Sequence, residues 1–380
     1  MARRPPAGGV LRDLGGMPIA RFLRDYWQRR PLLVRAAFTP FRSPVDRDRL
    51  LRLAQRDDVE SRIVQRSGRR WRLDHGPFTR RELPPLKQKR WTLLVQGIDG
   101  LDRNAQALLA RFRFLADARL DDLMASYATD GGSVGPHVDQ YDVFLLQASG
   151  RRRWRISRQR DQSIDRRQPL KLLQDFRPTQ EWLLEPGDML YLPPGVAHEG
   201  AAEGECITLS IGFRAAVWQE LLDPWFAHFA ETVSLPGRFR DPGVRETTRP
   251  GRLAPALLGE AHRRLSRRRP RRADTERFLL EYLSEPKGQT RFRPRPEDRA
   301  AGFRREARRH GLRLDGRSRL LYGADSAAIN GEIVPVPLTP LLRQLADQRS
   351  LSAKQFARAP ESLRAVLADW YRAGWIAIDR

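Results

Sequence analysis

The sequence predicts an α+β chain: a β core of the sandwich or barrel kind, jelly rolls among them, then a helical region and a winged-helix tail. Three observations carry this. Between about 121 and 213, short apolar strands alternate with turn signals at Gly131–Gly132, Gly150, Pro186–Gly187–Asp188 and Pro193–Pro194–Gly195. From 217 to 233 the apolar period becomes helical, with Trp218, Leu221, Leu222, Trp225, Phe226 and Phe229. From 318 onward, short strands and helices alternate and close on the apolar run Trp375–Ile378.

The elements follow in chain order. Pro18 to Trp27 predicts a short helix, with Ile19, Phe22, Leu23 and Tyr26 at helical spacing, and Leu32–Val34 a short strand. Residues 46–66 read as helix and then extended chain, 71–78 as strand and turn, and 91–97 as a buried strand. A helix is expected over 101–118, with Ala105, Leu108, Leu109, Phe112 and Leu115 on one face. Strands are expected near 123–128, 137–148, 151–157, 181–184, 188–192 and 206–213. After the helix at 217–233, a loop rich in Pro, Gly and Arg spans about 236–252, and 253–268 and 273–284 read as helices. The stretch 263–272 holds seven arginines in ten residues: a solvated helix end, or a nucleic-acid contact.

A chain of 380 residues is long enough for two or three domains, one with a full core. No stretch approaches 18 consecutive apolar residues, so no membrane-spanning helix is expected. Basic residues in Met1–Pro6 are followed by no apolar segment, and no signal peptide is expected. Cys206 is the one cysteine, which excludes an intrachain disulfide and fits a reducing, cytoplasmic setting. The net charge of +24, mostly arginine, points to an acidic partner, nucleic acid or ribonucleoprotein first; composition alone is the competing explanation.

Chemistry concentrates at Gly135–Pro136–His137–Val138–Asp139–Gln140–Tyr141–Asp142. In an extended chain residues i and i+2 share a face, so His137 and Asp139 reach one point. They are two members of a 2-His-1-carboxylate set, which holds Fe(II) with coordination positions open. His198, just after the Pro193–Pro194–Gly195 turn, is the candidate third ligand. The competing reading makes His137 a turn histidine beside a capping aspartate and His198 a buried histidine bonded to a backbone carbonyl. In the strand Arg151–Ile156, Arg152, Trp154 and Ile156 share the inner face, and Arg151, Arg153 and Arg155 the outer. An inward arginine needs an anion: a small carboxylate in the cavity, or an internal Asp or Glu.

The segment 131–144, with Gly150–Trp154 and Pro193–Gly200, resembles the Jumonji-C (cupin-like) Fe(II)/2-oxoglutarate oxygenases, and among them the bacterial ribosomal oxygenases. The resemblance extends over nearly the whole chain, through Tyr26–Pro31, Trp91–Gln96, Asp121–Met124 and Phe278–Pro286. It implies a jelly-roll oxygenase domain over 1–213, a helical dimerisation region over 214–300 and a winged helix over 301–380. It implies His137, Asp139 and His198 as iron ligands, Arg152 as partner of the distal carboxylate of 2-oxoglutarate, and Ser126 and Ser210 as further cosubstrate contacts. It implies hydroxylation of an arginine in large-subunit ribosomal protein sixteen, met free or on the ribosomal particle, by a homodimer. Many members carry a polar residue three before the first histidine; here it is Val134. Asp142 and Asp130 are candidates to hold a substrate guanidinium, or are ordinary turn and strand-end aspartates. Alternatives in function are a Jumonji-C hydroxylase of histidine or lysine, a non-redox cupin, and a non-catalytic ribosome-binding factor.

Overall fold

The computed structural model describes residues 9–379 apart from 241, 243–245, 247, 248, 250, 268, 289 and 296–301. Met1–Pro6, parts of the 236–252 loop and Arg268 of the arginine run therefore lie outside the described residues. By contacts the chain divides into two compact units. One comprises the described residues of 1–215, 286–319 and 339–380; the other those of 216–285 and 320–338.

The first unit opens with the small hairpin β1 (Asp13–Leu14) and β2 (Met17–Pro18), followed by α1 (Ile19–Asp25) and β3 (Leu32–Val34). Next come α2 (Arg47–Leu53), β4 (Ser61–Ser67), β5 (Arg70–His75), β6 (Trp91–Val95), α3 (Arg103–Ala110) and β7 (Leu120–Ala128). The remaining strands of the core are β8 (His137–Val138), β9 (Asp142–Ser157), β10 (Gln180–Leu184), β11 (Met189–Leu192) and β12 (Ala197–Phe213). Two helices start on aspartates: Asp46 accepts from Arg49 N–H, and Asp102 from the N–H groups of Asn104 and Ala105. The strands form one antiparallel sheet in the order β3-β11-β9-β12-β7-β6-β4-β5, with β10 on β9 and β8 on β12.

β9 and β12 are the frame, at 16 and 17 residues. Strands expected to end at 148 and restart at 151 are one strand, because Gly150 turns the chain at φ +60° without breaking the pairing. A Cβ at Gly150 would collide with the Glu205 carbonyl oxygen, and the register of β12 slips between Glu203 and Ile207 at that level. The two halves of β9 take different partners. Val143–Leu146 pairs with β11, and Arg152–Ile156 with β10. β12 begins at Ala197, earlier than the expected 206; its polar stretch Glu203–Gly204–Glu205 hides a strand that pairs back onto β9.

Alternation sorts the long strands into two faces. Phe144 and Leu146 of β9, Leu123, Ala125 and Tyr127 of β7, and Leu209 and Ile211 of β12 join Phe22, Leu50, Leu53 and Trp91 in the main core. The opposite face, with Val143, Leu145, Trp154 and Ile156, forms a second apolar cluster with Leu184, Leu190, Leu192 and Val196 inside the roll. Trp27 stacks on Tyr191 at 5.6 Å, tying the segment after α1 to β11.

Beyond the core lie α4 (Trp218–Thr232), α5 (Pro255–Ser266), α6 (Arg272–Ser284), α7 (Phe303–His310), β13 (Leu312–Leu314), β14 (Leu320–Tyr322), β15 (Ala327–Ile329) and β16 (Glu332–Ile333). The tail adds α8 (Pro340–Gln348), β17 (Ser350–Leu351), α9 (Ala353–Ala357), α10 (Glu361–Ala373) and β18 (Ile376–Ile378). In the first unit β17-β13-β18 form a three-stranded sheet accompanied by α7 to α10, the winged-helix arrangement expected of the tail. In the second unit β14-β15-β16 accompany α4 to α6, and Trp225 packs on Phe278 at 5.4 Å. α7 was not expected from its sequence. Only Phe303 and Ala307, one turn apart, are buried, and four arginines dilute that signal. Among the described residues no helix is long and apolar enough to cross a membrane.

Candidate metal centre

β8 is only two residues long, yet it places His137 directly opposite His198 of β12. Asp139 follows, and its carbonyl accepts from Gly195 N–H at 2.9 Å, which ties the ligand segment to the Pro193–Pro194–Gly195 turn. Each imidazole is fixed by the carbonyl two residues before it: His137 Nδ1 lies 2.9 Å from Gly135 O, and His198 Nδ1 lies 2.9 Å from Val196 O. With the proton on Nδ1, both Nε2 lone pairs are free to ligate. Those Nε2 atoms lie 3.9 Å (His137) and 3.6 Å (His198) from Asp139 Oδ2. Donor atoms bound about 2.1 Å from a common ion stand roughly 3–4 Å apart, so this spacing suits one metal. Among the described residues, this is the group of three His, Cys, Asp or Glu residues close enough to share an ion. Burial, and secondarily the neighbouring His137, push the His198 imidazole down to about 4, which keeps it neutral.

Gly135 sits at φ +78°, and a Cβ there would come within 2.7 Å of Leu172 Cδ2 and 3.1 Å of Trp71 Cζ2. Only glycine allows the chain to turn there while presenting its carbonyl to His137.

The triad opens into a cavity of about 640 Å³. Arg152 lines it while being only 3% exposed. Its Nε and Nη2 bond to no described atom, so the internal salt bridge that was the competing reading is not formed by those nitrogens. Arg153 and Arg155 face outward, as the strand period predicts; Arg153 pairs with Glu181 at 2.6 Å and Arg155 with Glu199 at 2.5 Å. Ser126 and Ser210 both line the cavity from neighbouring strands, as does Val134. Ser126 is buried, with Oγ 3.4 Å from Thr208 O.

Of the two readings open for Asp142 and Asp130, the ordinary structural one holds, for neither lines the cavity. Asp142 is fully buried and turned away, accepting from Tyr191 OH at 2.6 Å and Gln28 Nε2 at 2.9 Å. Asp130 pairs with Lys89 at 2.9 Å and is no part of the cavity wall. The wall carboxylates besides Asp139 are Glu60, Asp121 and Asp122. Lys287 Nζ lies 3.0 Å from Asp121 and 3.1 Å from Asp122, and Gln96 Nε2 donates to Asp122 at 2.8 Å. Sequence reasoning missed Asp122, although the signal was available: Asp122 and Met124 share the face of Ser126 on β7.

Behind this wall a second cavity, about 140 Å³, is lined by Asp99, Asp121, Asp122 and several arginines. Asp99 accepts from Leu123 N–H at 2.9 Å, and burial together with Asp122 raises it to about 7. Its folded value lies above the unfolded value of about 4, so the folded state holds the proton more tightly and stability falls as pH rises between them. Asp99→Asn retains an acceptor oxygen but cannot ionise. Its melting temperature should match the parent near pH 4 and exceed it increasingly up to pH 8, as thermal melts across that range will check.

The chain's relatives match this arrangement. The JmjC domain family covers residues 107–221, which include His137, Asp139 and His198, and a ROXA-like winged helix family covers 262–377. The ribosomal protein uL16 3-hydroxylase of Escherichia coli strain K12 is 34% identical over 361 residues, spanning 93% of this chain and 96% of that protein. The chain belongs to the bacterial ribosomal oxygenases. A probable ribosomal oxygenase of Haemophilus influenzae is 36% identical over 206 residues, 53% of this ribosomal oxygenase and 51% of that one. The X-ray structure of E. coli YcfD superposes with a TM-score of 0.84 at 30% identity, over 95% of this chain and 98% of that chain. A structure of YcfD in complex with cobalt and 2-oxoglutarate gives a TM-score of 0.82 at 31% identity, over 97% and 99% of the two chains. A member of the family thus binds a metal and 2-oxoglutarate, and this ribosomal oxygenase carries a His-Asp-His triad able to hold a metal.

Proposed function

We propose that this ribosomal oxygenase uses Fe(II) and 2-oxoglutarate to hydroxylate an arginine side chain of the large-subunit ribosomal protein uL16. The observation that carries the reading is Arg152, a buried guanidinium with two nitrogens bonded to no described atom, in the cavity that holds the triad. Such a group calls for an anion there. Its planar fork suits the distal carboxylate of 2-oxoglutarate. His137, Asp139 and His198 would hold the iron, and Ser126 and Ser210 would offer hydroxyls to the cosubstrate. When bound, metal and cosubstrate supply the oxygen chemistry. The chain's own part is positional. Val143, Leu145, Trp154 and Leu172 wall the cavity with apolar surface that excludes water. Asp121 and Asp122 also line the cavity, their charge offset by Lys287 and, at Asp121, by Arg214.

The test is anaerobic binding of Fe(II) and 2-oxoglutarate, then succinate release with and without uL16 and mass spectrometry of the protein. One added oxygen on an arginine, dependent on both reagents, is the expected product. Succinate without any substrate oxygenation, or oxygenation of a histidine or lysine, rejects the reading.

The chain-order division into oxygenase (1–213), helical dimerisation region (214–300) and winged helix (301–380) is proposed as a functional one. Its dimer element rests on α4, where Trp218, Leu222 and Phe226 form a stripe one turn apart at 84%, 40% and 57% exposure. A second copy of the chain would cover this stripe. Burial of each aromatic ring is worth about 1.5–3 kcal/mol, and a substitution strikes both copies. Trp218→Asp combined with Phe226→Asp should convert a dimer into a monomer in light scattering while the thermal melt of the oxygenase core persists.

A further inference from the structure

We infer that the end of the sheet beside the cavity, built from the β4–β5 turn and the segment before β6, is a docking surface for an RNA phosphate backbone. Two backbone links bring these segments together. Arg66 N–H donates to Arg90 O at 3.0 Å, and Arg90 N–H donates to Asp130 O at 2.9 Å. The side chains of Gln88 and Gln65 meet at 3.5 Å. Arg66, Arg69, Arg70, Lys87, Lys89 and Arg90 therefore share one end of the sheet, and all six are exposed. Of these, only Lys89 has a carboxylate partner among the described residues.

Several other arginines of the same sheet are matched with acids. Arg153 has Glu181 and Glu203, Arg155 has Glu199, and Arg72 has Asp74. Apart from Arg66, whose Nε donates to Gly68 O at 3.0 Å, these unmatched, exposed cations keep their donors for a ligand, and a phosphate backbone is the polyanion that accepts them without regard to sequence.

The place of the patch ties it to the reaction. Val64 and Leu73 are strand partners that line the cavity, and the next pair on that face is Arg66 and Trp71. Arg66 lies over the Trp71 ring, 5.2 Å from its centroid. Two residues along a strand are about 7 Å, so the patch begins at the cavity's edge. It resolves a charge conflict. A basic chain would repel a basic ribosomal protein, whereas RNA around that protein attracts this rim. RNA is favoured over an acidic protein because the reading of a ribosomal substrate already places phosphates beside the target. The inference rests on that reading for the identity of the polyanion, not for the surface.

The experiment measures binding of the full-length enzyme to a fluorescein-labelled 20-nucleotide RNA by anisotropy, over a series of salt concentrations. The test variant is Arg69→Gln/Arg70→Gln/Lys87→Gln/Arg90→Gln. The control is Arg80→Gln/Arg81→Gln, two exposed arginines that follow, in sequence, the Gly76–Ser61 link at the opposite end of β4. Four lost phosphate contacts should shrink the slope of log affinity against log salt by about 3 and weaken binding at least about 10-fold near 0.1 M salt. The control should change by less than about twofold, since it removes no contact of this surface. Turnover on a short uL16 peptide should be unchanged in both variants; that assay reports the catalytic reading separately. Equal loss in test and control, or no loss in either, overturns the inference. So does tighter binding of poly-L-glutamate than of RNA through the same four residues, which would assign the surface to an acidic protein.

Discussion

Replacing Asp139 with alanine is expected to abolish hydroxylation and to weaken ferrous-ion binding by more than about 100-fold, beyond what loss of a supporting contact costs. Asp139 is the anionic member of the triad, and its Oδ2 stands 3.6 Å and 3.9 Å from the two Nε2 atoms. An imidazole brings no negative charge, so without the carboxylate the site has nothing to offset the charge of the ion. Both rings stay fixed by Gly135 O and Val196 O, so the fold should persist. Titrating Fe(II) anaerobically and comparing thermal melts separates the effects. Near-parental iron affinity in this variant would remove the triad from the reaction.

Arg152→Met is expected to have an effect of similar size on a different reagent. Two charge-assisted hydrogen bonds to a carboxylate are worth about 3–6 kcal/mol together, which is at least about 100-fold in the dissociation constant of 2-oxoglutarate. Iron affinity should hardly move. The same substitution removes a guanidinium that is 3% exposed and has two unbonded nitrogens, and leaves an apolar side chain beside Trp154. Without cosubstrate the variant should therefore melt higher than the parent, the usual exchange of stability against function at a binding site. Calorimetry with and without 2-oxoglutarate reads both arms. A variant that loses stability and keeps its cosubstrate affinity would make Arg152 a structural residue.

Legibility from sequence followed the strength of the local pattern. The period of two placed Arg152 inward and its neighbours outward, and the His-x-Asp spacing placed two donor groups on one face. The meeting of His137 with His198 came from the resemblance and from the turn positions, because register across 61 residues is not a local property. The choice for Asp142 between a substrate contact and a strand-end aspartate stayed open for the same reason, and the structure makes it the latter. Asp142 directly precedes the apolar Val143–Phe144 run, but fold contacts with Gln28 and Tyr191 decide which way it points. The early start of β12 was hidden in polar residues, and α7 in arginines. In both, cross-strand or cross-helix burial overrides a sequence that reads as loop.

The split of β7, β9 and β12 into two faces has an evolutionary consequence. Positions 122, 124, 126 and 210 border the reaction space, while their immediate neighbours 123, 125, 127, 209 and 211 hold the molecule together. Selection can therefore vary one set while leaving the other untouched. A lineage can acquire a new target side chain by exchanging a handful of alternating residues, with little penalty to folding, and the architecture remains free to diversify.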